Sequence, residues 1–422
     1  MNDLRDPLTL APLMRRAVGE CAVWEGGSRL WPEVDGIPYL RVGRDELADR
    51  VAALVEAGDE TTARAELLRD QDDFARQPPP SLEATLAISR EEPPTFRAAM
   101  AALEYGPVAH YFAHRTSTPT YLSGLALLAE VEAGDHVLEL CCGVGHFLRH
   151  IEARDREEAK FDDPEDGDRY RIRAAGVDVV WSKLWLARRY VGIEGVLVCV
   201  DVSAGRLPFG DASFHPAFCH DAIYFLPDKR AVLDEMRRVG RSVLVGHAHN
   251  RLADHGDVAG TPLSPSEYAA LCEGRPAAFY DDARLAEVSR RWSGFEDRPD
   301  IFSSETDPSD GHRRLEELDG AEAIAWSEWE PDADRTYVLG DSWHLPPGPL
   351  RLNPLLKEQG GRLVPDWPMP RFAEEYAAAD YLTGPVPTAE QVAWAERGDW
   401  WGDAAMEDFV RRRTFIDLPE RW

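Results

Sequence analysis

One run of residues constrains this 422-residue chain more than any other: Val137–Phe147, VLELCCGVGHF. Val137, Leu138 and Leu140 suit a strand buried on both faces, as a central strand of a parallel sheet is. Gly143 and Gly145 follow at once, and a residue without Cβ lets the backbone approach a ligand where a side chain would clash. The run therefore predicts a strand, a ligand-binding turn and the start of a helix, the opening unit of an α/β fold that holds a nucleoside-like cofactor. A dinucleotide fingerprint would put a third small residue after the two glycines, with pyrophosphate on the helix N-terminus. Leu148 stands at that position, which weakens the dinucleotide reading. On the run alone a dinucleotide, a different nucleoside cofactor and an incidental glycine turn all remain open.

Glu139, two residues before the turn Cys141-Cys142-Gly143-Val144-Gly145, makes the run resemble motif I of the class I S-adenosylmethionine (SAM)-dependent methyltransferases. SAM carries an amino acid and a sulfonium but no phosphate, so a carboxylate at the strand end is compatible with its ammonium. Three further segments follow in the family's order. AAGVDVVWSKLWLARRYV (174–191) reads as a second strand ending at Asp178, placed to accept hydrogen bonds from ribose hydroxyls. In a dinucleotide site that acid lies about 20 residues beyond the turn; here 178 − 145 gives 33, and the polar stretch Glu152–Arg173 reads as an insertion. VLVCVDVSAGRLPFGDASF then supplies the third strand and the lead into the fourth, DAIYFLPDKRAVLDEMRRV a helix, and SVLVGHAHN the fifth strand. The resemblance implies a Rossmann-like seven-stranded sheet. It also implies SAM contacts at Glu139, Cys141, Gly143, Gly145, Asp178 with Val179, Asp201 with Val202 (Asp201 on the adenine amino group), and His220.

Charge narrows the partners. Lys and Arg number 47 against 76 Asp and Glu, a net charge of −29. No surplus of cations exists to displace counterions from a phosphate backbone, so nucleic acid is disfavoured as a partner. No apolar run approaches the roughly 20 residues that span a bilayer, and MNDLRDPLTLAPLMRR lacks a signal-peptide core. A cytoplasmic enzyme without a membrane partner is expected. The six cysteines form no CxxC pair and are expected to be buried free thiols.

Four regions are expected. Residues 1–45 form a small unit in which RLWPEVDGIPYLR resembles the end of the zinc-ribbon-like domains found beside, or activating, several methyltransferases. Ala11-Pro12-Leu13-Met14 stands where that family has CPxC, and Cys21 alone cannot complete a four-ligand zinc site. Residues 46–93 read as a helical linker broken by Pro78-Pro79-Pro80, 94–292 as the SAM-binding core, and 293–422 as an extension that completes the sheet and wraps the core. Nine of the 13 tryptophans lie at or after Trp292, which suits irregular segments pinned by large aromatic anchors. Strands six and seven are expected in this extension, at Ala321–Trp329 and Arg335–Gly340.

Ligands of a doubly wound sheet sit outside the carboxyl ends of its strands. The turn Cys219-His220-Asp221-Ala222 resembles the SQDA or SRDA turn of some small-molecule amine methyltransferases. His220, Asp221 and His249 are candidate bases, because a hydroxyl acceptor needs one and methyl transfer otherwise asks mainly for orientation. Tyr111, His114, Tyr224 and His247 are candidate substrate contacts, with Arg115 and Tyr121 beside them in a lid ahead of the first strand. No carboxylate-rich cluster can be assembled from the sequence, so no metal is expected. Together these features point to SAM-dependent methylation of a small molecule at O, N or C, in specialised metabolism. Protein or tRNA modification, and SAM binding without methyl transfer, are the alternatives; the oligomeric state is left open.

Overall fold

A computed structural model describes residues 3–27, 29–71, 78–129, 131, 134–158, 171–253, 260–272, 274–291, 315–329, 348–398, 400 and 402–422. The N-terminal unit is an antiparallel meander of β1 (Met14–Val18), β2 (Cys21–Gly26), β3 (Arg29–Val34) and β4 (Ile37–Pro38). Asp35 and Gly36 take φ of +53° and +69°, the left-handed pair that a two-residue hairpin between β3 and β4 requires. Helices α1 (Asp45–Glu56) and α2 (Glu60–Leu68) pack against this sheet, and α3 (Leu82–Arg90), α4 (Phe96–Ala102), α5 (Pro107–His114) and α6 (Pro119–Leu128) lead into the main sheet.

That sheet alternates strand and helix: β5 (His136–Leu140), α7 (His146–Glu158), β6 (Arg173–Asp178), α8 (Trp181–Leu186), β7 (Val196–Cys199), β8 (Ala217–His220), α9 (Lys229–Val239), β9 (Ser242–His249), α10 (Pro265–Leu271), β10 (Ala277–Asp281), α11 (Asp282–Arg291) and β11 (Ala323–Trp329). Its order is β10-β11-β9-β8-β5-β6-β7, with β11 antiparallel to both neighbours and the five strands from β9 to β7 parallel. The strand order reverses between β5 and β8, which places the ligand crevice at the carboxyl ends of these two strands. One face is covered by α6, α7 and α11 and the other by α9 and α10, giving two continuous apolar cores.

The expected strand at Ala321–Trp329 is β11, which inserts between β9 and the edge. Its edge partner is a correction to the sequence reading: β10 precedes Trp292 instead of lying in the extension. Arg335–Gly340 falls outside the described residues.

The N-terminal unit joins the opposite edge. Tyr39 lies in parallel register with Cys199 of β7, and the Leu40 amide donates to the Cys199 carbonyl at 2.7 Å. Buried Asp70 fixes this segment by accepting from the Tyr39 hydroxyl (2.8 Å) and from Arg41 Nη1 (2.7 Å). At the other end of the chain the Phe96 amide donates to the Arg421 carbonyl at 2.7 Å, and Trp422 stacks on Phe96 at 4.3 Å. Trp326 and Trp400 are fully buried, so the described tail tryptophans include packing anchors. All six cysteines are free, five of them buried. No described helix is long and apolar enough to cross a membrane.

Candidate active site at the strand ends

The turn after β5 is built from unusual backbone. Cys141, Gly143 and Gly145 have φ of +54°, +56° and +78°, a region that costs a residue with a side chain about 1–2 kcal/mol. A Cβ on Gly143 would stand 3.1 Å from Phe112 of α5, so this ring roofs the turn. A Cβ on Gly145 would meet Ile193 Cγ1 at 2.9 Å. The second glycine also makes room for Ile193 to pack against the turn.

The acids expected at the strand ends are in place. Asp178 accepts from the Gly143 amide (2.9 Å) through Oδ2 and from the Val180 amide (2.9 Å) through Oδ1, with Lys183 Nζ 3.5 Å away. It thus braces the glycine turn against the end of β6. Glu139 is buried, and its Oε2 has no hydrogen-bond partner among the described residues. Burial, with Cys219 next, pushes its carboxyl well above the usual range. A buried polar oxygen without a partner is the exception in folded proteins and is a place a ligand's donor would satisfy. Asp201 is partly exposed and accepts from the Ser203 amide, Val202 is buried beside it, and the Val179 carbonyl accepts from Cys199 Sγ.

At the ends of β8 and β9 the fold brings together most of the remaining candidates. Asp221, at φ +55°, accepts from the Tyr111 hydroxyl (2.6 Å, Oδ2) and the Tyr224 hydroxyl (2.7 Å, Oδ1) and pairs as an ion with Arg115 Nη1, 3.1 Å from Oδ2. Burial pushes its carboxyl up, but Arg115, His247, His220 and the Tyr111 hydroxyl hold it below the usual range. His220 lies between Arg115 Nη2 (3.0 Å, at Nδ1) and Ser123 Oγ (3.5 Å, at Nε2). Burial and the Arg115 charge hold it near 3, so it stays neutral. Two of the three expected bases, Asp221 and His220, are therefore occupied by internal partners. His247, at φ +48°, sets Nδ1 2.7 Å from Asp282 Oδ2, while its amide donates to Asp282 Oδ1 at 3.2 Å. A nitrogen bonded to a carboxylate carries the proton, which leaves Nε2 as the acceptor. The His249 ring lies 5.0 Å from that of His247 and 4.3 Å from that of Tyr224.

One ligating atom each of Asp221, His247 and His249 lies within 4.8 Å of the others, the one such group among the described residues. The sheet joins Asp221 after β8 to the histidine pair on β9, a mixed set with a single carboxylate rather than the carboxylate-rich cluster considered from the sequence. His114 is set apart from the cluster, buried with Nδ1 unpartnered and held near 4 by burial, Arg97 and His110. Tyr121 is buried and stacks on Phe147 at 4.9 Å. Sequence reasoning missed Asp282 and Phe112. Asp282 gives no local signal, because its contact with His247 spans 35 residues.

Residues 138–243 match the family model described as "Methyltransferase domain". No curated protein matches the sequence. Among solved structures, a chain in a complex between the Haloferax volcanii Trm112 methyltransferase activator and a methyltransferase is 17% identical, with a TM-score of 0.35, covering 54% of this chain and 97% of that one. A SAM-dependent methyltransferase from Aquifex aeolicus is 17% identical, with a TM-score of 0.30, over 40% and 89% of the two chains. One from Mesorhizobium loti is 16% identical, with a TM-score of 0.31, over 50% and 96%. The glycine turn after β5, the strand order around it and the family match mark residues 138–243 as a methyltransferase domain of the class I SAM-dependent kind, for which S-adenosyl-L-methionine is the methyl donor.

Proposed function

We propose that the protein methylates a small-molecule acceptor held by the polar cluster at the ends of β8 and β9. The observation that carries this reading is the convergence of Asp221, His247 and His249 beneath the Tyr111 and Tyr224 hydroxyls, next to the cofactor turn. Asp221 and His247 are mostly buried, their side chains 12% and 17% exposed. That geometry suits a small polar group better than a folded macromolecule, and the net charge of −29 argues against a nucleic acid.

The residues present fit the donor. The orphaned Glu139 oxygen matches its ammonium, and Cys141, Gly143 and Gly145 let the chain pass close to it. Asp178 with Val179 and Asp201 with Val202 would hold the ribose and adenine, and His220 would border the reacting end. When bound, SAM supplies a methyl group already activated on sulfonium. The chain's own contribution is orientation and exclusion of water. Arg115 and two tyrosines fix Asp221 as an anion, Asp282 fixes the tautomer of His247, and Phe112 closes over Gly143.

The test is incubation of the full-length protein with SAM carrying a deuterated methyl group and small-molecule extracts, with mass spectrometry of both products. The expected result is S-adenosylhomocysteine together with an equimolar labelled small molecule. S-adenosylhomocysteine binding without any labelled product would favour a protein that holds SAM without transferring methyl; label appearing on tRNA or on protein would overturn the small-molecule reading.

A further inference from the structure

We propose that Asp221, His247 and His249 bind a divalent transition-metal ion, and that an oxygen of the acceptor fills one of its open positions. The second clause rests on the proposed acceptor pocket; the first does not. Two imidazoles and one carboxylate form a three-ligand set that leaves further positions free, the composition of a reactive metal site rather than a closed structural one. Ligands about 2.1 Å from a common tetrahedral ion stand roughly 3.5 Å apart. The three ligating atoms already lie within 4.8 Å of one another, so small side-chain adjustments would close the shell.

Three independent features support an ion at this place. First, His247 carries the outer partner that metal-bound histidines have: its Nδ1 is 2.7 Å from Asp282 Oδ2, which leaves Nε2 for the ion. Second, Asp221 and His247 both adopt left-handed backbone, at +55° and +48°, on neighbouring strands locked together by the Asp221 amide donating to the Gly246 carbonyl at 3.0 Å. Such conformations in residues with side chains are costly, and they cluster where side chains must be aimed for function. Third, the lone pairs leave room. Asp221 Oδ2 accepts from Tyr111 and faces the Arg115 guanidinium as an ion pair, but Oδ1 accepts only from Tyr224 among the described residues, so it retains one acceptor site. The charged groups around the cluster are Asp221, Asp282 and Arg115, with His220 beside them, and two carboxylates against one guanidinium leave a negative site for a cation.

The experiment uses the full-length protein freed of metal by chelation and titrated with Co²⁺, followed by visible absorption and then by displacement with Zn²⁺. The expected outcome is one saturable equivalent with a ligand-field band that Zn²⁺ abolishes. His249→Ala and Asp221→Asn should lose the band, and Asp282→Asn should weaken binding about 10- to 100-fold, while all three keep S-adenosylhomocysteine binding and a cooperative thermal transition. Absence of saturable Co²⁺ and Zn²⁺ binding to the parent would overturn the proposal, as would binding that His249→Ala and Asp221→Asn leave unchanged. Methyl transfer that persists undiminished in chelator would overturn the ion's role at the acceptor while leaving the methyltransferase reading intact. A metal bound by a protein that transfers no methyl would do the reverse.

Discussion

Acidification should unfold this protein earlier than its carboxylates alone would dictate, because several histidines are buried in neutral form. Burial holds His146, His150 and His220 near 3 and His114 near 4, against an ordinary value of 6.5. Below pH 6.5 the unfolded chain takes up protons at these positions and the folded chain does not, so stability falls as pH falls. At pH 5.5 each such histidine costs about 1.4 kcal/mol, and four cost about 5–6 kcal/mol. Groups with raised values act in the opposite sense, His247 and Glu139 among them. Despite burial, Asp282 and Asp221 raise His247 above its ordinary value, and burial raises Glu139. Both therefore bind protons more readily when folded, and each offsets a gain of the unfolded chain. The net expectation is a loss of stability between pH 7.5 and 5.5, smaller than the histidines' own about 5–6 kcal/mol but still a large part of the roughly 5–15 kcal/mol that stabilises a typical domain. Urea titrations across this range, with proton uptake on unfolding measured at pH 5.5, provide the assay; unfolding should absorb protons. His150→Gln should flatten the dependence by about one histidine's share. Stability that stays level from pH 7.5 to 5.5 would refute the argument.

Other expectations follow from single contacts. Gly145→Ala forces a Cβ to 2.9 Å from Ile193 at φ +78° and should cost about 2–4 kcal/mol from overpacking and backbone strain; a melting temperature equal to the parent's would show that the turn relaxes freely. Leu40→Pro removes the amide that donates to Cys199, and hydrogen exchange at the β7 amides should accelerate while β8 and β9 stay protected. Unchanged β7 protection would mean that the N-terminal unit does not hold this edge. Tyr111→Phe deletes the 2.6 Å hydrogen bond to Asp221, worth about 1.5–3 kcal/mol for a charged acceptor. S-adenosylhomocysteine should bind the variant faster in stopped flow, and an unaltered association rate would count against Phe112 and α5 as the roof of the site.

How much of this was legible in the sequence depended on whether the cause was local. The β5 turn could be read because burial on both faces imposes an apolar run and left-handed backbone favours glycine, and both leave marks in consecutive residues. Cys141 departs from that logic, since it holds φ +54° with a side chain. Strand β10 could not be read. AAFYD is a half-buried edge strand that runs directly into α11, so it shows neither a full apolar run nor a flanking break. Asp178 and Glu139 were legible as positions but not as chemistry: only the fold shows that one braces Gly143 while the other has an oxygen without a partner. The acceptor cluster was legible in parts. The HDA turn and the HAH pair each stood out, but their junction through neighbouring strands, and the support of His247 by Asp282, are contacts across 26 or more residues.

The placement of α5 ties the two halves of the site together. Phe112 closes on the cofactor turn at Gly143, and the residue before it, Tyr111, grips Asp221 in the acceptor cluster. Arg115, one residue beyond the helix, binds Asp221 and His220 and lies 5.0 Å from the Tyr111 ring. A displacement of α5 large enough to uncover Gly143 therefore pulls on the Tyr111–Asp221 hydrogen bond. Conversely, whatever draws Asp221 toward a ligand loosens the roof over the donor. A charge-assisted hydrogen bond of about 1.5–3 kcal/mol linking the sites lies in the range of ordinary coupling free energies between two ligands, about 1–3 kcal/mol. On the proposed function, one short helix would link donor and acceptor binding, without any need for a change in the sheet that carries them.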